Sequence, residues 1–436
     1  MPHVYFGLTT SLAYFTCAED DNTIILWRFV VGWSMKTLWV NPNFMHPTTR
    51  GVQIRTLEML RHLHRRHEIH YVAIQNPARP EGPTGADEYC TRAYPFPHRI
   101  PDKSSPSFWG QLATGLFSEL PVAIGRFNPP GMGAFLERLI RQEGFDCAVV
   151  DHLAASAYFP DLAHAILFEH NVETLIWRRR VNYANDPLRC WYLRLQAKRM
   201  FEYERRVSRA AGHVVTVSAN DADEMRRLFG VTRVSDIPTG VNIEYFRPPV
   251  APLPRDTDLI FVGSMDWFPN VDGVLYFVRT ILPLIRRRRP ECTMAIVGRR
   301  PPPEICKLSR DPRIQVTGTV SDIRPHLWAS AVAIAPLRIG GGTRLKIYEA
   351  MAARVPVVST TVGAEGLTVN PPHDIYIADL PEDFAERCLE LIGSSTERAR
   401  VSCAAWELVN SRFSWEQVSR CFEKIMELGP RIRDIL

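Results

Sequence analysis

The 436-residue chain lacks the features that define several large protein classes. It has no run of about eighteen apolar residues, so no hydrophobic helix long enough to span a bilayer is expected. Its nine cysteines are odd in number and scattered without CxxC spacing, so neither a disulfide framework nor a zinc site is implied, and a reducing compartment suits the chain. A net charge of +5 is too small to argue for nucleic acid. No DxD pair sits at a convincing strand end and no cluster of ligand-type side chains stands out, which fits a site without a bound metal or other cofactor. No glycine loop runs into Gly-Lys-Ser or Gly-Lys-Thr, which excludes a P-loop.

An apolar content of 46% indicates a globular protein, and the length suffices for two domains with separate cores. Residues 1–34 contain Glu19-Asp20-Asp21 ahead of a short apolar stretch interrupted by Arg28, a pattern of neither signal peptide nor spanning helix. We read them as an extension outside the fold, with Met35 as the natural start. Residues 37–40 then form a strand leading into the loop 41–51. Helical spacing of Ile54, Leu57, Leu60 and Leu63 and a strand over 68–74 complete a βαβ beginning. The basic run 61–67 reads as a solvated helix end suited to the dipole. Residues 76–107, rich in proline and glycine, read as loop, and 108–120 as an amphipathic segment able to touch lipid.

Two later strands end in histidine, at Asp151-His152 and Glu169-His170, where an open α/β sheet carries its cleft. One long helix is expected over 174–207. The proline-rich piece 248–254 marks an interdomain linker. A second strand–helix series begins at 259 and implies another parallel sheet covered on both faces.

The densest chemistry lies in Gly340-Gly341-Gly342-Thr343-Arg344-Leu345-Lys346-Ile347-Tyr348-Glu349, after an apolar strand and opening a helix. Three glycines let the backbone approach a ligand, and the free N–H groups of the first turn favour an anion. Arg344 and Lys346 oppose the helix dipole there, so a polyanion such as a diphosphate is the fitting occupant. Glu349 stands about six residues further, roughly 9 Å along the helix, a reach suited to a ribose diol. The competing reading is a glycine turn before an ordinary amphipathic helix, with Lys346 and Glu349 an exposed pair.

This stretch, with Ala335-Pro336-Leu337, Glu169-His170-Asn171-Val172-Glu173, Thr239-Gly240-Val241-Asn242 and Phe261-Val262-Gly263, resembles the signature of GT-B retaining glycosyltransferases of the group 1 or family 4 type. The similarity covers about residue 35 to the C-terminus and is strongest towards enzymes of exopolysaccharide systems. It implies an α/β GT-B fold, two Rossmann-like domains with parallel sheets facing across a cleft: an acceptor domain over 35–248, a linker over 249–257, a nucleotide-sugar domain over 258–410, and a terminal helix over 411–436 returning to the first domain. It further implies metal-independent transfer of a sugar, with retention, to a saccharide acceptor that is lipid-linked, in the cytoplasm and peripherally at the inner face of the plasma membrane.

On that resemblance His152 lies close to the donor sugar, with His170 as second choice, and Glu349 completes the catalytic set. Gly263, Ser264, Gly340, Gly341, Gly342, Thr343, Arg344, Lys346 and Glu349 hold the donor, while Arg50 and Gly51 let the first domain approach the phosphates or the acceptor. For either histidine the plain alternative is a satisfied structural hydrogen bond. Three departures stand out: Gly341 replaces a frequent glutamate, and Ser264 and Asn270 replace a frequent arginine and lysine, so Arg344 and Lys346 are expected to supply the missing charge. A GT-B protein that binds a nucleotide sugar without transferring it, or a nucleotide-sugar epimerase, would share these features.

Overall fold

The structure, a computed structural model, describes residues 14–15, 27–28, 35–48, 51–77, 80–101, 105, 110, 112, 115–116, 118–182, 186–250, 254, 256–339 and 345–432. Strands β1 (Tyr14–Phe15) and β2 (Trp27–Arg28) pair antiparallel. The rest of 1–34, and with it the expectation of an extension there, lies outside the described residues.

Two all-parallel sheets organise the chain. The first contains β3 (Lys36–Asn41), β4 (Glu68–Gln75), β5 (Arg92–Pro97), β6 (Cys147–Asp151), β7 (Ile166–Phe168), β8 (His213–Thr216) and β9 (Val234–Asp236), in the order β5-β4-β3-β6-β7-β8-β9. The second contains β10 (Thr257–Val262), β11 (Met294–Val297), β12 (Ile314–Gly318), β13 (Ser330–Ala335), β14 (Val357–Ser359) and β15 (Tyr376–Ile377), in the order β12-β11-β10-β13-β14-β15. Central strands such as Val149-Val150 and Ala331-Val332-Ala333-Ile334 are apolar on both faces because helices cover both.

In each sheet the chain starts in the middle, winds outward one way, then returns and winds the other way. The strand order therefore reverses between β3 and β6, and again between β10 and β13. Loops on the two sides of such a reversal diverge and leave a crevice beyond the carboxyl ends of the strands. The longer helices of the described residues include α1 (Gly51–Leu63), α2 (Met132–Glu143), α3 (Glu173–Asn182), α4 (Pro187–Ala210), α5 (Ala219–Phe229), α6 (Phe268–Tyr276), α7 (Leu345–Ala352), α8 (Pro381–Gly393), α9 (Ser395–Arg412) and α10 (Trp415–Leu428). Among the described residues no helix is long and apolar enough to cross a membrane.

Four features differ from the sequence reading. Residues 92–97, taken as loop, form edge strand β5, where Pro95 and Pro97 are tolerated because the edge needs fewer donors. The long helix expected over 174–207 is two helices, since Pro187 opens α4 and the Asp186 side chain caps it by accepting from Arg189 N. The basic run at the end of α1 is not wholly solvated: His67 is buried, and it and Arg66 contact Glu423 of α10. Finally, the chain leaves the first core before the proline-rich piece. Ile237 packs with the first sheet, whereas Val241, Ile243 and Phe246 pack against α7 and the second sheet.

The return crossing lies beside the outward one. Val241 N donates to Phe413 O at 2.7 Å, Val241 and Ser414 form a parallel bridge, and Trp415 is buried in the first core. A Cβ on Gly240 would lie 2.5 Å from the Trp415 ring, so only glycine lets the strands cross so closely.

Candidate active site

The strand reversals place five of the expected residues. On the first sheet, Gly51 opens α1 after β3, and His152 follows β6. On the second, Gly263 and Ser264 follow β10, and Lys346 lies in the first turn of α7 after β13. The two halves meet there: a Cβ on Gly51 would lie 3.7 Å from Leu345 Cδ1, so the N-terminus of α1 faces the N-terminus of α7. The first turn of a helix has N–H groups without a partner inside the helix and the positive end of its dipole, so two such ends together are a setting for an anion. Arg50 and residues 340–344, which include Gly340, Gly341, Gly342, Thr343 and Arg344, lie outside the described residues.

Lys346 reaches across to β10. Its Nζ donates to Asn270 Oδ1 at 2.7 Å and lies 4.2 Å from the centroid of the Phe261 ring. Asn270 Nδ2 in turn donates to Ser264 O at 2.7 Å, which ties the loop after β10 to α6. A Cβ on Gly263 would lie 2.8 Å from both the ammonium and the Asn270 amide nitrogen, so glycine is the residue that leaves room for the cation. Behind it, a Cβ on Gly298 would meet Gly263 O at 1.8 Å, so the loops after β10 and β11 are in backbone contact.

Arg299 and Asn270 were not among the sequence-derived site residues. Arg299 Nε donates to Ser264 Oγ at 2.7 Å, and Ser264 Oγ donates to Asp266 Oδ1 at 2.6 Å. The pattern Val297-Gly298-Arg299 repeats that of Val262-Gly263-Ser264, a glycine just past a parallel strand, and that repeat was a readable signal.

Glu349 lies one turn beyond Lys346, enclosed enough that burial raises its carboxyl to about 7 despite the opposing charge of Lys346. Its carboxylate accepts no hydrogen bond from another described side chain. An acid of that kind is ready to take a hydroxyl donor.

The two histidines have different environments. His152 has φ 85° and ψ 135°, a backbone region that L-residues seldom occupy, and its Nδ1 accepts from Ala154 N at 3.2 Å. In the neutral ring the proton therefore sits on Nε2. The His170 ring is enclosed instead, with 1% of the side chain exposed. Its Nε2 is 2.5 Å from Asp151 Oδ1, and its Nδ1 is buried without a partner among the described residues. The expectation of a substrate-facing His170 therefore gives way to a buried partner of Asp151. That carboxylate also accepts from Trp39 Nε1 (3.0 Å), Asn41 Nδ2 (2.8 Å) and Thr56 Oγ1 (2.9 Å); burial pushes its titration up, but His170 foremost, with Trp39 and Asn41, holds it below its usual range. The network locks β3, α1, β6 and β7 together directly beneath His152.

The motif Glu169-His170-Asn171-Val172-Glu173 also sets the start of α3, since Glu204 of α4 accepts from Glu173 N, Thr174 N and Thr174 Oγ1 at 2.8, 2.7 and 2.5 Å. Asn171 and Val172 thereby line a cleft of about 1250 Å³ whose opposite wall carries Trp267, Phe268 and Arg338.

Two parallel sheets that face each other through the crevices at their strand reversals, with donor-type groups on the second, define the GT-B architecture. The chain belongs to the glycosyltransferase group 1 and family 4 proteins: the model described as Glycosyltransferase Family 4 matches residues 49–245, and that described as Glycosyl transferases group 1 matches residues 256–394. Among solved structures it is similar to sucrose-phosphate synthase from Thermosynechococcus elongatus, 15% identical, with 90% of this chain and 98% of that one covered and a TM-score of 0.63. It is also similar to Anabaena Alr3699/HepE in complex with UDP, 12% identical, with 90% and 100% covered and a TM-score of 0.62. A 44.6 kDa protein in the cps region of Klebsiella pneumoniae is 19% identical over 267 residues, 59% of this chain and 67% of that protein.

Proposed function

We propose that the chain is a retaining glycosyltransferase that moves a sugar from a nucleotide-sugar donor to a lipid-linked saccharide, in exopolysaccharide or cell-surface polysaccharide synthesis. It acts in the cytoplasm, peripherally at the inner face of the plasma membrane. The observation that carries this reading is the Lys346 ammonium against Gly263, at the strand reversal of the second sheet and beside the facing ends of α1 and α7.

The donor diphosphate lies against those helix ends, with Lys346 offsetting the charge that grows as the nucleoside diphosphate departs. Lys346 stands in for a metal in that role, and transfer needs no bound cation. Glu349 takes the donor ribose hydroxyls. His152 offers its Nε2–H to the donor sugar, and Asp151 with His170 holds the strand end that carries it. The acceptor hydroxyl attacks the anomeric carbon on the face from which the diphosphate leaves. The bond from that carbon to the diphosphate oxygen breaks, the new glycosidic bond forms, and the hydroxyl proton passes to the departing oxygen.

UDP sugars are the first donors to try, because HepE is solved with UDP and with UDP-glucose. The cps-region relative supports a polysaccharide context. The test is a thermal-shift panel of UDP, GDP, ADP and dTDP with their sugar conjugates, where hundredfold excess over the dissociation constant adds about 2.7 kcal/mol of apparent stability. Shifts in one nucleotide series, lost in Lys346→Ala, are expected. Absence of any shift across the panel removes the donor-site reading. Turnover that persists in EDTA and yields a product of unchanged anomeric configuration is the second expectation.

A further inference from the structure

The α3–α4 hairpin carries a surface that the donor site does not use. Between Thr174 and Phe201 the chain has seven cations (Arg178, Arg179, Arg180, Arg189, Arg194, Lys198 and Arg199) and one anion, Asp186. Among the described residues Arg194 and Lys198, both exposed, form no ion pair, while the Arg178 and Arg180 guanidinium groups lie 5.3 and 5.1 Å from the centroids of the Phe201 and Trp177 rings. On the same helix Leu188 and Trp191 are 74% and 55% exposed, well beyond the usual state of such large apolar groups. The spacing of Leu188, Trp191, Arg194 and Lys198, three, three and four residues apart, places them on one face of α4. Arg189 and Leu193 lie on the adjoining face and line the cleft.

We propose that this outer face of the α3–α4 hairpin docks the protein on an anionic lipid bilayer, which would set the mouth of the cleft at the membrane surface. This deepens the peripheral-contact part of the reading above, though the surface itself stands on α3 and α4 alone. Charge complementarity selects the occupant. Arg194 and Lys198 attract an anionic headgroup layer, while Trp191 and Leu188 supply the apolar wedge that enters the headgroup boundary. A soluble acidic protein would satisfy the cations and leave a tryptophan and a leucine in water. Continuity supports the same face: Arg199 donates to the carbonyls of Gly115 and Leu116 at 2.5 and 2.7 Å, which places these two residues beside α4.

The experiment is cosedimentation of the full chain with vesicles of phosphatidylcholine alone and of phosphatidylcholine with phosphatidylglycerol, over a salt series. Wild type is expected to sediment with the anionic vesicles, to ignore the neutral ones and to be released by salt. Arg194→Glu with Lys198→Glu should weaken that binding by at least about tenfold, and Leu188→Ser with Trp191→Ser should leave it weaker and more salt-sensitive. The surface pair Arg226→Glu with Arg227→Glu on α5 serves as the charge control and should bind as wild type does. All variants are also melted with and without UDP, so that loss of vesicle binding with an intact UDP shift separates this surface from the donor site. Equal loss in the α5 control, equal binding to neutral vesicles, no binding at all, or retention on nucleic acid with vesicles ignored would each overturn the proposal.

Discussion

The Lys346 ammonium donates to Asn270 Oδ1 at 2.7 Å, so a cation carried by α7 occupies the end of β10, where a side chain on the following helix, at Asn270, provides no charge. The replacement works because Gly263 has no Cβ in the way and Phe261 offers its ring face at 4.2 Å. A charged hydrogen bond to a ligand is worth about 1.5–3 kcal/mol. Lys346→Ala is therefore expected to weaken UDP binding by about 10–100-fold, read by titration calorimetry. Asn270→Ala, which releases the ammonium but keeps it, should cost less. Unchanged affinity in Lys346→Ala would remove the lysine from the site.

The glycines at the ends of β10 and β11 should separate stability from binding. On Gly298 a new Cβ meets backbone, the Gly263 carbonyl at 1.8 Å, and neither strand has room to move. Gly298→Ala is expected to lower stability by about 2–4 kcal/mol, visible in the urea midpoint. On Gly263 the same methyl meets the ends of two side chains, at 2.8 Å, and these can swing away. Gly263→Ala should then change stability by less than about 1 kcal/mol while it displaces Lys346 and weakens UDP binding. A Gly263→Ala variant that binds UDP as tightly as wild type would contradict this account.

Much of this arrangement was legible in the sequence because parallel strands buried on both faces leave continuous apolar runs. Cys147-Ala148-Val149-Val150 and Ala331-Val332-Ala333-Ile334 locate strands without ambiguity, and a histidine or glycine just beyond such a run marks the cleft. Strand β5 was hidden by its prolines, whose cost falls only once the strand is known to lie at an edge. The break before Pro187 carried a signal, Asp186 as cap, that the apolar periodicity on both sides overrode. The crossing at Val241 was invisible because composition marks the proline-rich piece, while the core that Val241, Ile243 and Phe246 join is set by tertiary packing. Likewise nothing in His170 itself distinguishes it from His152; the difference lies in Asp151, which turns one ring inward.

Glu349 gives a pH dependence with a defined sign. Burial raises its folded carboxyl to about 7 from the ordinary glutamate value of 4.5, so between those values the folded state holds a proton that the unfolded state has released. Stability from this group therefore falls as pH rises through the window and is fully lost above it, on the order of 3 kcal/mol. Glu349→Gln removes the charge and should be more stable than wild type at pH 8, with the gain vanishing as pH falls towards 4.5. The same variant should bind UDP more weakly at pH 8. In wild type, UDP affinity should decline as pH drops through 7, by about fivefold, and Glu349→Gln should show no such slope. A matching slope in both proteins would assign the titration to another group.

His152 combines a strained backbone with a ring whose Nδ1 is already used. Its φ of 85° and ψ of 135° suit glycine and cost other residues about 1–3 kcal/mol. Glycine at this position relieves that strain but loses the bond from Ala154 N, worth about 0.5–1.5 kcal/mol, so His152→Gly should melt close to wild type. His152→Ala keeps the strain and loses the bond, and should be the less stable of the two. If the ring serves only to fix the turn, transfer should follow stability and the glycine variant should stay active. If Nε2 acts on the donor sugar, both variants should lose about 100-fold or more in kcat with UDP binding little changed. The strained turn starts from a fixed point, since Asp151 at the end of β6 is held by Trp39, Asn41, Thr56 and His170. A fully active His152→Gly enzyme would reduce the histidine to a structural cap.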